Sequence, residues 1–150
     1  MPVDDAALDA LADRDVVGTD AFTVAEEHTT TVFGEQTNPP GPPAAVDADP
    51  TEAASVLGTP HLLARFEFAS RAALRGHLPD GTGVVGEAAA VTHRRPVSVG
   101  ETVAVTTRLE AVAPPSLTFD CRAEDEAGRT VGTGDVTLRV VDRDRFRDAL

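Results

Sequence analysis

A carboxylate on the apolar face of a helix is the group in this chain best placed to do chemistry. Leu63, Glu67, Ser70 and Leu74 recur at helical spacing beside Leu62, Phe66, Ala69 and Ala73, which puts Glu67 among side chains that should face a core. Burying an unpaired carboxylate costs several kcal/mol, about the whole stability margin of a small domain. Such a group is therefore paired, held protonated, or set beside a cleft where it serves as general base or nucleophile. The alternative is that Glu67 reaches the helix edge or pairs with Arg71 one turn on. Other reactive side chains are sparse. Cys121 is the only cysteine, so an intramolecular disulfide and a cysteine metal cluster are excluded, and its place in the alternation Leu117, Phe119, Cys121, Ala123 is that of a core residue. His28, His61 and His77 stand at no metal-ligating spacing, and no metal is expected.

Charge narrows the partners. The 150 residues carry a net charge of -12, and every basic residue is Arg. Positive charge gathers only at Arg94-Arg95 and in the tail Arg139, Arg143, Arg145, Arg147, where it is interleaved with Asp142, Asp144 and Asp148. No basic stripe is left to neutralise phosphates, so nucleic acid is not an expected partner. The acidic surface, the absence of Lys and the many small residues resemble the proteins of salt-accumulating halophiles, in which repulsion is screened within ~3 Å at 1 M salt. Folding should then depend on salt. No run approaches the ~20 apolar residues that span a bilayer, and the start MPVDDAALDALADRD is acidic where a signal peptide would be basic. A cytoplasmic protein with no membrane contact is expected.

The elements that must hold Glu67 follow in a clear order. Residues 1–16 read as an acidic arm or short helix around Leu8 and Leu11, and residues 17–150 as one domain. Extended segments at about 20–24 and 28–32 lead into the stretch NPPGPPAAVDADP over 38–50, where repeated Pro removes backbone donors and dictates a loop or lid. The principal helix starts with Thr59 as N-cap and Pro60 at the first helical position, and its periodicity runs to about Leu78, some 18 residues or roughly 27 Å. Period two then takes over. Segments at about 84–95, 101–112, 116–127 and 130–141 read as strands separated by Pro96 to Gly100, Pro114-Pro115 and the turn at Glu126-Ala127-Gly128. In the second, Val103, Val105, Thr107, Leu109 and Ala111 should share one face. A long helix followed by four long strands needs the sheet to wrap one face around the helix, an α+β architecture.

That order resembles the hotdog fold, an antiparallel sheet wrapped around one long central helix. The stretch VLGTPHLLARFEFASRAALRGHLPDGTGVVGEAAAVTHRRPVSVGETVAV, with GRTVGTGDVTLRVVDRDRF, is similar to the fluoroacetyl-CoA thioesterase family. The resemblance implies an acyl-CoA thioesterase with four site positions. The family's catalytic threonine falls on Thr59, its glutamate on Glu67, its strand glycine on Gly86 and its histidine on His93. It implies CoA as part of the substrate, no separate cofactor, and a homodimer with sites at its interface. On these residues Glu67 would be general base or nucleophile. His93 would supply a proton or orient water, Thr59 would hold the acid or the substrate, and Gly86 would bind substrate. Three departures point to a short- or medium-chain acyl group rather than a fluorinated one. Leu138 stands where family members can carry arginine, Glu87 follows the glycine, and the Pro-rich stretch replaces an aromatic lid. Two rivals remain: a hotdog that binds acyl-CoA without turnover, and an enoyl thioester hydratase, for which the expected Asp and His pair is not seen.

Overall fold

Four consecutive segments of alternating polarity form antiparallel strands; the last three are joined by short turns, and the first pairs with the last rather than with the second. In the computed structural model, which describes residues 3–150, they form β6 (Thr82–His93), β7 (Thr102–Ala113), β8 (Ser116–Asp125) and β9 (Thr130–Asp142). With β1 (Val17–Thr23) they make one antiparallel sheet in the order β1-β7-β8-β9-β6, so β1 and β6 are its edges. Two small ribbons flank it: β2 (Thr29–Thr31) pairs with β5 (Ser55–Leu57), and β3 (Gln36–Thr37) with β4 (Pro40–Gly41). Otherwise residues 38–50 form turns and bends, as their prolines require.

The helix α2 (Thr59–Ala73) lies across the concave face of the sheet. It buries Leu62, Phe66, Ala69 and Ala73 against Val103, Val105, Leu117, Phe119 and Leu138, each large side chain contributing about 1.5–3 kcal/mol. Close approach is set at Gly18 of β1, where an added Cβ would lie 2.1 Å from the Ala69 carbonyl oxygen. The short helix α1 (Asp5–Asp9), capped by the Asp4 side chain, and the 3-10 turn Ala10–Asp13 after it place Leu8 and Leu11 in the same core. The chain ends on α3 (Arg143–Asp148), capped by Asp142. No helix among the described residues is long and apolar enough to cross a membrane.

Several local expectations are corrected. The N-cap of α2 is Gly58, whose carbonyl accepts the first helical bonds from His61 and Leu62; Thr59 is the first helical residue and caps nothing. The helix is 15 residues long and stops at Ala73, because the backbone tightens to three-residue bonds at Leu74 and Arg75 and then turns at Gly76 with φ +81. The periodic Leu74 and Leu78 beyond it still pack on the core, from a turn. In β7 a bulge between Leu109 and Ala111 shifts the phase, so Val112 rather than Ala111 faces the core. The expected strand at 28–32 is only Thr29–Thr31, since His28 closes a 3-10 turn. Cys121 is buried as expected, and burial pushes its thiol pKa up to about 12.

Candidate active site

α2 and the edge strand β6 run side by side in opposite directions, and two hydrogen bonds and one close approach mark the seam between them. At one end, Thr59 Oγ1 lies 2.9 Å from His93 Nδ1. Midway, Glu67 Oε1 points at Gly86, 2.3 Å from where a Cβ would stand. Further on, Arg71 Nη1 donates to the Val84 carbonyl at 3.1 Å. Glu67 is half-buried rather than a core residue, because the buried stripe of α2 runs through Leu62, Phe66, Ala69 and Ala73 and leaves Glu67 at its margin, facing β6. It has no ion pair with Arg71 among the described residues, since that guanidinium is turned to β6.

A bulge in β6 makes this alignment possible. Gly86 and His93 are seven residues apart, and an odd spacing puts two side chains on opposite faces of a regular strand. The register shifts between Gly86 and Ala88, and the extra residue restores the parity. Val84 and Gly86 before it, and Val91 and His93 after it, then all face α2. Glu87, at the bulge itself, accepts a hydrogen bond from Ser116 Oγ at 2.8 Å.

The Thr59–His93 pair opens onto a cleft of about 520 Å³ whose walls include Thr30, Gly58, Pro60, Arg94 and Arg95. Because Gly58 takes the capping position, the Thr59 hydroxyl is available to the imidazole. It donates to Nδ1 when the ring proton is on Nε2, and accepts from Nδ1 in the other tautomer. His93 Nε2 is buried, with no hydrogen-bond partner among the described residues. The two pairs are not adjacent within one chain: Glu67 follows Thr59 by eight residues, about 12 Å of helix. Among the described residues no group of three or more His, Cys, Asp and Glu side chains is arranged to hold a metal ion.

Two histidines that fit no motif meet near this end of α2. The rings of His28 and His61 stack 4.0 Å apart at 15°, and Phe22 meets each edge-on. Arg65 lies 4.3 Å over the Phe22 ring, donates to His61 Nε2 at 3.0 Å and pairs with Asp20 at 3.2 Å. No sequence signal foretells the stack, which depends on a 3-10 turn delivering His28 to the helix start. Burial first, then the neighbouring His28 and Arg65, lowers the His61 pKa from 6.5 to about 4. The unfolded chain therefore binds the extra proton between these values, so this contribution to stability is full above pH 6.5 and lost as pH falls toward 4. In His61→Gln, denaturant titrations from pH 7 to 4 are expected to show a shallower loss of stability than in the wild type. An unchanged slope would separate His61 from the acid response.

The profile of the fluoroacetyl-CoA-specific thioesterases, FlK, matches residues 43–144. No curated protein matches the chain in sequence. Among solved structures, a hypothetical protein of Thermus thermophilus, a thioesterase superfamily member, is similar in fold at 20% identity and TM-score 0.72, over 91% of this chain and 88% of its own. The fluoroacetyl-CoA thioesterase FlK itself aligns at 25% identity and TM-score 0.71, over 89% of this chain and 90% of its own. A variant of that enzyme in complex with fluoroacetate and CoA aligns at 26% identity and TM-score 0.69, over 87% and 95%. The curled five-stranded sheet around α2 is the hotdog architecture expected from the order of elements.

Proposed function

Since this chain belongs to the family of fluoroacetyl-CoA-specific thioesterases, and is a thioester hydrolase, we propose that it converts a short- or medium-chain acyl-CoA to the free acid and CoA. CoA enters as part of the substrate, and the reading needs no separate cofactor. The observation that carries it is the seam, which aligns a carboxylate, an imidazole and a hydroxyl beside one edge strand. Glu67 takes a proton from the water that adds to the thioester carbonyl, or adds to that carbon itself. His93 donates to the departing sulfur or orients the water, and Thr59 fixes the imidazole through Nδ1. Little assistance is required at sulfur, because a thiolate is a good leaving group. The backbone amides near Gly86 and the N-terminus of α2 polarise the carbonyl oxygen. Leu138, where an arginine would stand in a relative, is wholly buried among apolar side chains, which supports an unfluorinated acyl group.

A dimer explains why the two pairs are apart. β6 is a 12-residue edge with Ala88, Ala89 and Ala90 exposed, small enough for a second strand to approach. Antiparallel pairing of two copies about Ala89 and Ala90 sets Gly86 close to His93 of the partner subunit, since each lies equally far from the axis. Glu67 of one copy and the partner's Thr59 and His93 then make one site.

Thiol release from acetyl- through decanoyl-CoA in molar KCl tests the activity and ranks the acyl chain. Mixing Glu67→Gln with His93→Ala tests the shared site. Each variant alone is expected to be inactive, whereas random heterodimers should regain about one quarter of wild-type turnover, from one intact site in half the dimers. No regain on mixing would place both groups in one chain. No thiol from any acyl-CoA, with the protein folded, would favour a hotdog that binds without turnover.

A further inference from the structure

We propose that the cleft at the far end of the α2–β6 seam, lined by Arg71, Arg75 and Arg143, receives the phosphate groups of the CoA moiety; the identity of this ligand rests on the thioesterase reading. The cleft, about 470 Å³, is lined by three arginines and a single acidic residue, Asp80. Arg65, Arg108, Arg122, Arg129 and Arg147 each sit on an acidic side chain. The three cleft arginines have no such partner among the described residues, nor have Arg14, Arg94, Arg95, Arg139 and Arg145; what sets the three apart is that one cleft gathers them from two elements, with the Arg71 bond going to a neutral carbonyl. In a chain of net charge -12, carboxylates are plentiful, so three arginines gathered at one cleft suit a multiply charged anion. Favourable interaction with the C-terminus of α2 accounts for Arg71 and Arg75. It does not account for Arg143, which arrives from the start of α3.

Position along the seam selects the ligand. An acyl-CoA is elongated, with the thioester at one end of the pantetheine arm and a diphosphate and 3′-phosphate at the other. Arg71 lies twelve residues from Thr59, about 18 Å of helix, and Arg75 lies beyond it in the turn that follows α2. A thioester held at the Thr59–His93 pair leaves the arm to run along the seam and the phosphates to reach this cleft. Arg94 and Arg95 also line a cleft, but they adjoin His93 directly, so phosphates held there would leave no length for the arm.

The test compares two thioesters of the same acyl group, one on CoA and one on pantetheine, which carries no phosphate. In Arg71→Ala/Arg75→Ala, kcat/KM for the CoA thioester is expected to fall about tenfold or more through KM, while that for the pantetheine thioester is unchanged. Arg143→Ala, on a different element, should move the same way. Equal loss on both substrates, loss on neither, or the same split in Arg94→Ala/Arg95→Ala but not here, would overturn the proposal. Calorimetry with adenosine 3′,5′-bisphosphate reads the cleft without turnover: binding to the wild type and its loss in the double variant support it. No binding to the wild type, or equal affinity for inorganic phosphate, overturns it. Bisphosphate bound through these arginines by a protein that cleaves no thioester would uphold the phosphate site and sink the thioesterase reading instead.

Discussion

Glu67→Gln is expected to lower thiol release from an acyl-CoA by roughly two to four orders of magnitude, the usual range for losing a positioned base, while leaving the fold intact. The amide keeps the shape of the side chain and removes its charge. Because Glu67 is half-buried at the margin of the packed stripe, with no ion pair among the described residues, no structural bond is lost with the carboxylate. Single-turnover thiol release, read beside the thermal midpoint, separates the two effects. Undiminished turnover would remove Glu67 from the chemistry, and a parallel drop in thermal midpoint would make its role structural.

Gly86→Ala should reach the same chemistry from the other side of the seam. Its new Cβ would lie 2.3 Å from Glu67 Oε1, closer than atoms can stand. The atom it meets is the free end of a flexible side chain, so the stability cost is about 1 kcal/mol. The carboxylate, however, must move by the order of an ångström, and misplacement on that scale costs about a hundredfold in rate. We expect kcat to fall by that factor with the thermal midpoint little changed. Combining it with Glu67→Asp, which shortens the side chain, should recover part of the loss. An alanine variant with full kcat would show that the carboxylate does not work where it meets Gly86.

The parts of this molecule that were legible in its sequence are those set by periodicity. Alternation in residues 102–125 and 130–142 gave strands within a residue or two of those observed, and the helix through Leu62, Phe66 and Ala69 was evident from its apolar stripe. Glu67 stood out for its place on that stripe, although a linear pattern cannot tell the centre of a buried face from its margin. Phase defects were hidden. The bulges at Leu109/Ala111 and Gly86/Ala88 each insert one residue, and alternation cannot show where the count is broken. Thr59 has the chemistry of a cap, and only the folded chain shows Gly58 accepting the helical bonds while the hydroxyl turns to His93. The arginine cleft was hidden for another reason. Arg143 is far along the chain from Arg71 and Arg75, and the turn before β6 brings them together.

The β6 bulge has a consequence for descent. Strands usually lengthen or shorten at their ends with little harm, but between Gly86 and His93 a lineage that gained or lost a single residue would turn the imidazole away from α2 and strand it on the opposite face. A two-residue change preserves the face yet moves the imidazole about 7 Å along the strand, beyond reach of Thr59. The interval of seven residues is thus inherited as a unit, and surviving insertions should collect in the loop before β5 rather than in this strand.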